Sequence, residues 1–425
     1  MKHLIAKLLG SAPPDPRRLA QHYQPRFSPF SSLLNVNRHG VPLWTVAQRA
    51  LQILRSNPVK PHSAPHPHLE PWWRPTPAVH LAALLLHVGV QKADTREHHD
   101  DGLPPHQLES ASISRDIMRE LGVPFAPRQH ATALIRNFRR PADFSDSSTT
   151  DSAFRRLACR LDPASLLALY GADMASLPPD IIQKARRRSL RFRVRAEKLG
   201  VYRAPPAPRV SCMALEEMGY EGQALQRIIG ALRYFQLCET DLDTDWYRKR
   251  AEQELEINPR GRLHLLIGIP ASGKSRWASH HLGHTNIISS DRMREELTGD
   301  PSDQSQNYLV FQRCISRMRN LLHEGREVTF DATNYNENLR KDIVEAARWA
   351  GAEIYSYYFD ISLNLALERN ESRDRWVPRQ IIHRHWRLLT QPALFEADQH
   401  HRVDPHGQCH LYWPNEVTRL SAGGS

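Results

Sequence analysis

The chain has 425 residues, with 57 lysines and arginines against 46 aspartates and glutamates, and a formal net charge of +11 at pH 7. This length exceeds what one ordinary hydrophobic core accommodates, so we expect at least two domains. The basic balance favours a polyanionic partner over a small metabolite, and no apolar run is long enough to span a membrane. The five scattered cysteines form no CxxC pair, which indicates reduced thiols and a cytoplasmic protein.

The first part of the chain is predicted to be helical. Its proline-rich stretches lie at residues 13–16 and 58–77, and the apolar segment from Leu81 to Val90 has helix length and little β-branching. The histidines at 62, 66, 68, 98 and 99 lie in loop-like sequence, where metal binding is only weakly indicated. We predict an all-α domain over residues 1–180 and a helical arm with a linker over residues 181–258.

A basic segment follows between Lys184 and Arg203, where Glu197 is the single acidic residue. At helical spacing, one face collects the side chains of Lys184, Arg188, Arg191, Arg195 and Lys198. We call this set the basic stripe. Both a solvated helix face and a surface that follows nucleic-acid phosphates are compatible with it. Residues 241–259 are predicted to form a charged connecting helix and linker.

The most specific motif comes next, between the apolar run 263–267 and a helix-like stretch. It reads Gly268-Ile269-Pro270-Ala271-Ser272-Gly273-Lys274-Ser275. A strand, a turn with glycines at fixed positions and a helix N-terminus form a P-loop, whose backbone N–H groups converge on phosphate oxygens. Lys274 would then reach the β- and γ-phosphates, and the Ser275 hydroxyl would join the Mg²⁺ shell. We predict an α/β domain with a parallel sheet over residues 259–415, which binds ATP or another NTP with Mg²⁺ or Mn²⁺.

A second predicted strand, residues 286–289, leads into Asp291 and Arg294. We place it beside the P-loop strand, at the edge where open α/β sheets bind ligands. Asp291 could there accept the proton of an attacking hydroxyl, and Arg294 is suited to an anionic acceptor. The alternatives are that Asp291 only caps a helix and that Arg294 is a solvated helix charge.

Two more predicted strands, residues 327–330 and 353–358, complete the pattern. The first runs into Asp331, Thr333 and Asn334, a second polar cluster at the same edge of the sheet. Asp331 and Asn334 have an alternative interpretation as caps of the helix that begins at Glu337.

The strand over residues 353–358 precedes a helix that carries Arg369, Arg373 and Arg375. Arginines on such a late helix are suited to clamp a transferring phosphoryl group. The alternative is that Arg373 and Arg375 are solvated helix charges, and Arg375 fits that alternative better.

The order GxxxxGKS, DxxR, D-A-T-N, RNxxR and VP over about residues 260–395 resembles the 5′-hydroxyl polynucleotide kinase family. The resemblance implies an ATP-dependent phosphotransferase in which Lys274 and Ser275 hold the donor and the metal. Asp291 would be the general base, and the catalytic arginines Arg369 and Arg373 would form a lid over the NTP.

On the acceptor side, the resemblance implies that Arg294 contacts the acceptor strand and that Asp331 supports it together with Thr333 and Asn334. Two alternatives stay open. P-loop kinases of small molecules, such as antibiotic phosphotransferases and zeta-type toxins, share the P-loop and an acidic base. A nucleotide-gated RNA-binding protein would bind NTP without turnover, although Asp291 alongside Lys274 argues against it.

From Trp44 to about Leu237 the chain resembles HD-domain proteins, and among them the helical part of bacterial tRNA nucleotidyltransferases. The resemblance depends on the run Ala82–Gly89, on His106 with Glu109–Ala111, and on Gly171–Asp173.

The expected ligand positions of the HD metal site are altered in this chain. Val46 and Val88 stand at two of them and Asn137 at a third, whereas three potential ligands remain: His87, His106 and Asp173. Valine offers no lone pair to a metal. We therefore interpret residues 1–180 as a degenerate HD-like domain that has lost its phosphoesterase activity.

An HD-type phosphoesterase fused in front of a 5′-hydroxyl kinase is the architecture of a bacterial end-healing enzyme, and this chain resembles it with the first activity lost. The predicted function is phosphorylation of RNA or DNA 5′-OH ends in nucleic-acid repair, with no membrane partner. The sequence leaves open the choice between RNA and DNA, the NTP used and the oligomeric state, a homodimer included.

Overall fold

The computed structural model describes residues 36–38, 41–57, 75–90, 105–145, 149–238, 242–257, 260–373 and 376–413. The chain divides into two compact units, with the boundary between Pro206 and Ala207. The predictions for the histidines at 62, 66, 68, 98 and 99 and for Arg375 concern positions outside the described residues.

The first unit is helical, as predicted, apart from a short antiparallel pair formed by β1 (Asn37–Arg38) and β2 (Val41–Pro42). Its described helices are α1 (Leu43–Ser56), α2 (Pro75–Leu85), α3 (Pro105–Glu120), α4 (Phe125–Arg136), α5 (Arg140–Asp143), α6 (Asp151–Ala158), α7 (Pro163–Met174) and α8 (Pro179–Lys198). Thr150 and Asp162 cap the N-termini of α6 and α7 through their side chains. The apolar faces of these helices share one buried core.

Helix α2 ends at Leu85, five residues before the predicted end at Val90. Residues 86–90 form a turn that lies against α3, where the backbone N–H of Gly89 donates to the Ser110 hydroxyl over 3.0 Å. A Cβ on Gly89 would lie 2.3 Å from the Ser110 nitrogen, so only glycine permits this approach. The turn places His87 and Val88 in the interior of the unit.

The second unit contains a six-stranded sheet. Its strands are β3 (Arg262–Ile267), β4 (Asn286–Ser289), β5 (Glu327–Asp331), β6 (Glu353–Phe359), β7 (Gln399–Val403) and β8 (Cys409–Trp413). They lie in the order β4-β5-β3-β6-β7-β8, parallel except for β8. The four predicted strands are confirmed. Strands β7 and β8 were not predicted; β7, with the sequence Gln-His-His-Arg-Val, lacks an apolar run.

The described helices of this unit fall into two groups. Those before the sheet are α9 (Cys212–Glu217), α10 (Gly222–Cys238) and α11 (Thr244–Glu256). Those that connect the strands are α12 (Lys274–His281), α13 (Ser290–Thr298), α14 (Asn307–His323), α15 (Glu337–Trp349), α16 (Leu363–Glu371) and α17 (Arg379–Leu388). None of the described helices has both the length and the apolar content needed to cross a membrane.

Helix α11 corresponds to the predicted connecting helix, and it packs firmly within the second unit. Its Glu254 side chain is 3% exposed and accepts hydrogen bonds from Arg250 and Arg260, each over 2.6 Å. A third arginine, Arg227 on α10, lies 3.5 Å from the same carboxylate. Arg250 also donates to the carbonyl of Arg348 on α15, so this helix is fixed to the elements around the sheet.

Candidate active site

The P-loop connects β3 to α12, as the sequence predicted. Ala271 and Gly273 adopt positive φ angles of 60° and 95°, which turn the backbone into the first residue of α12, Lys274. Positive φ at the non-glycine Ala271 is a strained conformation of the kind found at ligand sites. The backbone N–H of Gly268 donates to the carbonyl of Thr333 over 2.9 Å, so the loop is held by the segment after β5.

Lys274 lies buried in this loop. Its Nζ donates to the carbonyl of Ile269 over 2.8 Å and lies 3.4 Å from the Ser272 hydroxyl. Burial lowers the pKa of Lys274 to about 8; Asp331 and Asp291 oppose the shift, and Arg373 adds to it. The ammonium group is therefore poorly solvated and surrounded by the groups that the sequence had singled out.

Asp331 ends strand β5 and is 7% exposed. It accepts a hydrogen bond from the Ser275 hydroxyl, and burial raises the pKa of Asp331, with the Lys274 ammonium acting in the opposite direction. A hydroxyl and a carboxylate side by side form the oxygen-rich donor set that Mg²⁺ prefers. The residues at this point therefore fit the predicted metal, and Asp331 is in direct contact with the predicted ligand Ser275.

Asp291 lies in the first turn of α13, and its side chain is 53% exposed. Ser289 is the N-cap of this helix, so the interpretation of Asp291 as a cap is wrong. Arg294 donates to Asp291 over 2.7 Å, to the carbonyl of Pro301 over 3.1 Å and to the Asn307 side chain over 3.1 Å.

Arg294 is only 4% exposed, so it is not the solvated charge of the alternative interpretation. The guanidinium holds Asp291 in position while the carboxylate itself stays accessible.

The strand that carries Asp291 does not lie beside the P-loop strand, and this part of the prediction was wrong. Strand β4 pairs with β5, and β5 in turn pairs with β3. The carboxyl ends of these parallel strands still meet at one edge of the sheet. Asp291 accordingly lies close enough to Lys274 and Asp331 to shift the pKa of both.

Thr333 and Asn334 form hydrogen bonds with the backbone of the P-loop and of β3. Asn334 is 1% exposed at φ 46°, and its Nδ2 donates to the carbonyl of Leu266 over 2.9 Å. The cap of α15 is Asn336, so the interpretation of Asp331 and Asn334 as caps is wrong. Arg340, fully buried, donates to the Asn334 carbonyl over 3.0 Å and pairs with Glu396.

The predicted lid arginines lie on and just after α16. Arg369 donates to the carbonyl of Ser272 in the P-loop over 3.1 Å and to the carbonyl of Pro405 over 2.7 Å. Arg373 is exposed and near enough to Lys274 to lower its pKa. Buried Asn370 exchanges two hydrogen bonds with Val377, over 2.8 and 2.9 Å, and so joins the two ends of the segment between α16 and α17.

One aromatic pair near the site was not predicted from the sequence. The rings of Tyr335 and His385 are stacked, with centroids 4.1 Å apart and planes at 22°. Burial lowers the pKa of His385 to about 4, and the positive charges of Lys274 and Arg384 act in the same direction. Tyr335 directly follows the D-A-T-N motif, which is the only sequence signal that could have indicated it.

In the first unit, two of the three potential ligands named from the sequence come together. His87 Nε2 lies 2.7 Å from Asp173 Oδ1, and both side chains are buried. Val46 and Val88 are fully buried apolar residues, and Asn137 donates to the carbonyl of Ala133 at the end of α4. Among the described residues, no group of three or more His, Cys, Asp or Glu side chains is arranged to hold a metal ion.

The basic stripe is divided by its contacts. Arg195 pairs with Asp151 over 2.8 Å and lies over the Phe154 ring, with 4.9 Å between its Cζ and the ring centroid. Arg188 and Lys184, about two and three turns earlier on α8, line a cavity instead. The stripe is therefore not one uniform phosphate-binding face.

Comparison with known proteins supports the P-loop fold of the second unit. A family model described as an AAA domain matches residues 263–392, the stretch that contains the P-loop, Asp291, Asp331 and Arg369. An L-seryl-tRNA(Sec) kinase from Methanococcus maripaludis is 27% identical over 144 residues, which are 31% of this chain and 53% of that protein. The chain thus spans about half the length of this curated relative.

A solved gluconokinase from Sinorhizobium meliloti 1021 shares 16% identity with this chain. The match covers 34% of this chain and 82% of the gluconokinase, with a TM-score of 0.25. The family match and the sheet topology together support a P-loop kinase fold with a mostly parallel sheet in the second unit.

Proposed function

We propose that this protein transfers the γ-phosphate of ATP or another NTP to the 5′-hydroxyl of RNA or DNA. The observation that carries the proposal is the position of Asp291. Its accessible carboxylate is held by buried Arg294 and lies within electrostatic reach of Lys274 in the P-loop. This arrangement provides a base on the open side of the phosphate site, where an acceptor hydroxyl must arrive.

The donor side of the mechanism uses the P-loop. Lys274 exchanges its contact with the Ile269 carbonyl for the β- and γ-phosphate oxygens, and backbone N–H groups of the loop hold the same phosphates. Ser275 and Asp331 would hold Mg²⁺, which when bound neutralises charge on the phosphates. Arg369 keeps the loop in place through the Ser272 carbonyl.

On the acceptor side, Asp291 takes the proton of the 5′-hydroxyl as its oxygen bonds to the γ-phosphorus. The bond between that phosphorus and the β–γ bridging oxygen breaks, and the nucleoside diphosphate leaves. Arg373 stabilises the charge that spreads over the transferring group. Arg294 positions Asp291 and adds positive charge beneath an anionic strand.

Two observations support a nucleic-acid acceptor. The net charge of +11 favours binding to a polyanion, and the curated relative is named for a substrate carried on tRNA. That relative favours a second candidate, in which the phosphorylated hydroxyl belongs to a group attached to RNA rather than to the strand's own 5′ end.

The test compares acceptors under one set of conditions. The protein is incubated with γ-labelled ATP, Mg²⁺ and, separately, 5′-OH RNA, 5′-OH DNA, the same oligonucleotides with 5′-phosphates, seryl-tRNA and a set of small sugars and alcohols. We expect label on the 5′-OH strands and none on the 5′-phosphorylated controls or in Lys274→Ala. Label on seryl-tRNA alone would support the second candidate, and label on small molecules alone would contradict both.

A further inference from the structure

Helix α14 carries positive charge and no acidic residue of its own. Its outer face bears three arginines, Arg313, Arg317 and Arg319, all of them exposed. None of the described residues forms an ion pair with any of these three side chains. The opposite face of the helix is anchored by the buried residues Val310, Cys314, Met318 and Leu322. No step of the proposed reaction uses the exposed face, and a helix surface with several cations and no carboxylate favours a polyanion.

The N-terminal end of α14 is joined to the acceptor side of the candidate site. Arg294 Nη2 donates to the Asn307 side chain over 3.1 Å, while Nη1 of the same guanidinium donates to Asp291 over 2.7 Å. Because β4 and β5 are parallel, the connection between them must return from the carboxyl edge of the sheet to the amino edge, and α14 is its last helix. A strand whose 5′ end lies at Asp291 can therefore continue along the exposed face of α14.

An aromatic side chain stands at the start of this face. Tyr308, in the first turn of α14, is 80% exposed, more than any other large hydrophobic residue that the structure describes. A single exposed apolar residue is common and does not by itself indicate a ligand. Tyr308, however, directly follows Asn307, the residue that contacts the acceptor arginine Arg294. At that position a free ring is suited to stack on a nucleobase, an interaction that tolerates any base.

Two of the arginines lie on the side of α14 that is turned toward α13. Arg313 and Arg317 are one turn apart, about 6 Å along the axis, and so are neighbours on the helix surface. Burial raises the pKa of the Cys314 thiol to about 11, and Arg294 and Arg317 both oppose the shift. Glu296, exposed on α13, adds to the shift and is a counter-charge near this side. Arg317 is thus within electrostatic reach of the same thiol as the acceptor arginine.

We propose that the exposed face of α14 binds the acceptor strand of the kinase reaction, beyond its 5′ nucleotide. A base stacks on Tyr308, and backbone phosphates pair with Arg313 and Arg317. These contacts engage phosphates and base faces, so they carry no sequence preference. The inference rests on the proposed function, because it needs a 5′-OH strand as the acceptor. It adds that the protein binds several nucleotides of that strand rather than its terminal nucleotide alone.

The experiment compares a short and a long 5′-OH acceptor with the full chain. Because nucleotides in a stacked strand rise about 3.4 Å each, a dinucleotide spans about 7 Å and a strand of about twelve nucleotides about 40 Å. Arg317 lies about 15 Å from Asn307 along the axis of α14, so only the longer strand reaches it. For both acceptors, kcat and KM are measured with γ-labelled ATP. The salt dependence of long-strand binding is measured separately by fluorescence anisotropy without ATP.

The double variant Arg313→Gln/Arg317→Gln should raise the KM for the long acceptor at least about fivefold. Its kcat, and both constants for the dinucleotide, should stay within about twofold, since only binding that is equal in the ground and transition states is lost. The slope of log Kd against log salt should fall by about 1.4, because each phosphate contact on a single strand contributes about 0.7.

Tyr308→Ala should also raise the KM for the long acceptor at least about fivefold, since it removes one stacked base. Tyr308→Phe keeps the ring and should leave this KM within about twofold of the wild-type value. A role of Tyr308 through its hydroxyl alone would reverse this order, with Tyr308→Phe as impaired as Tyr308→Ala, and would contradict the stacking contact.

The matched control for the arginines is Arg248→Gln/Lys249→Gln. It removes two positive charges from exposed positions of α11 and should leave the KM for the long acceptor and the salt slope unchanged. All of the replaced side chains are exposed, and equal thermal unfolding midpoints would show that the variants are folded.

Equal losses in the two double variants would reduce the effect to net charge and overturn the proposal. So would equal KM increases for the dinucleotide and the long strand in Arg313→Gln/Arg317→Gln. Polyglutamate that displaces the labelled strand as well as an oligonucleotide of the same charge would also overturn it and would indicate an acidic protein as the partner. If the wild type labels no 5′-OH strand, the proposed function fails, and the anisotropy titration, which needs no turnover, decides alone whether α14 binds a strand.

Discussion

Replacing Asp331 with asparagine tests whether the two carboxylates of the site have different tasks. Asp331 is 7% exposed and bonded to the Ser275 hydroxyl, whereas the Asp291 side chain is 53% exposed and bonded to Arg294. Asp331→Asn keeps the shape of the side chain and removes the charge of one of the two residues that we propose hold Mg²⁺. Even groups that only hydrogen-bond to metal ligands typically contribute about 10–100-fold to metal affinity. We therefore expect Asp331→Asn to weaken Mg²⁺-dependent ATP binding by about that factor.

Asp291→Asn should behave in the opposite way. It removes the proposed proton acceptor and leaves the P-loop contacts intact, so ATP affinity should stay within about twofold while kcat falls by about 10²–10⁴. The assay combines a Mg²⁺ titration of fluorescent ATP binding with single-turnover phosphorylation of a 5′-OH oligonucleotide. Asp342→Asn, at an exposed position on α15, is the matched control for loss of one negative charge.

The stability of Asp331→Asn provides an independent check. Burial raises the pKa of Asp331 in the folded chain, so folding favours its protonated form, and the stability from this group falls as pH rises through the shifted pKa. At pH 7 the charged carboxylate is therefore destabilising, and the asparagine variant without nucleotide should be at least as stable as the wild type. An unchanged Mg²⁺-ATP affinity in Asp331→Asn, together with a lowered acceptor affinity, would refute the division of tasks.

Three further predictions follow from single contacts. Because the pKa of Lys274 is about 8, its ammonium group loses its proton above pH 8 in the free protein, whereas bound phosphates keep it protonated. ATP affinity, measured by titration from pH 7 to 10, should therefore fall by up to about tenfold per pH unit above pH 8. In Lys274→Ala the affinity should not depend on pH in that range. Glu254→Gln leaves three arginines without their carboxylate and should lower the free energy of unfolding, measured in urea, by about 3–5 kcal/mol. Glu252→Gln, at an exposed position of the same helix, should lower it by less than about 0.5 kcal/mol, and equal losses would contradict the buried cluster. Arg369→Ala removes the contacts to the Ser272 and Pro405 carbonyls. In steady-state assays it should lower kcat by about 10²-fold with little change in the KM for the acceptor. A change in the acceptor KM alone would contradict the assignment of Arg369 to the donor side.

Much of the kinase fold could be predicted from local sequence patterns. Strands β3 to β6 contain apolar runs, which is how strands buried on both faces appear in sequence, and polar residues stand at or just after the ends of β4, β5 and β6. Strand β7 reads Gln-His-His-Arg-Val and lacks such a run. Its His400 is nevertheless buried, because the Ser356 side chain forms a hydrogen bond with one of its ring nitrogens. Tertiary context of this kind has no local signature in the sequence.

The order of the strands could not be deduced either. The chain reaches β4 before β5, and the P-loop strand was therefore assumed to lie beside β4. Both candidate neighbours are parallel strands joined by helices, so both orders satisfy the same local pattern. The side chains at the strand ends were nevertheless placed at the correct edge, because that depends on strand direction rather than strand order.

The contacts of the D-A-T-N segment bear on how substitutions there should be interpreted. Thr333 holds the P-loop through Gly268, and Asn334 holds the end of β3 through the Leu266 carbonyl. The contact of Thr333 is made by its backbone carbonyl and survives a change of side chain, whereas a change at Asn334 removes its contact and moves the nucleotide site as well as any acceptor group nearby. Losses at both substrates in an Asn334 variant therefore do not indicate a direct contact with either. Asp291 and Arg294 differ, since the side-chain contacts of Arg294 stay within α13, the loop after it and the first turn of α14. Donor and acceptor effects can therefore be separated most clearly at Asp291 and Arg294, and the acceptor assignment depends on measurements made there.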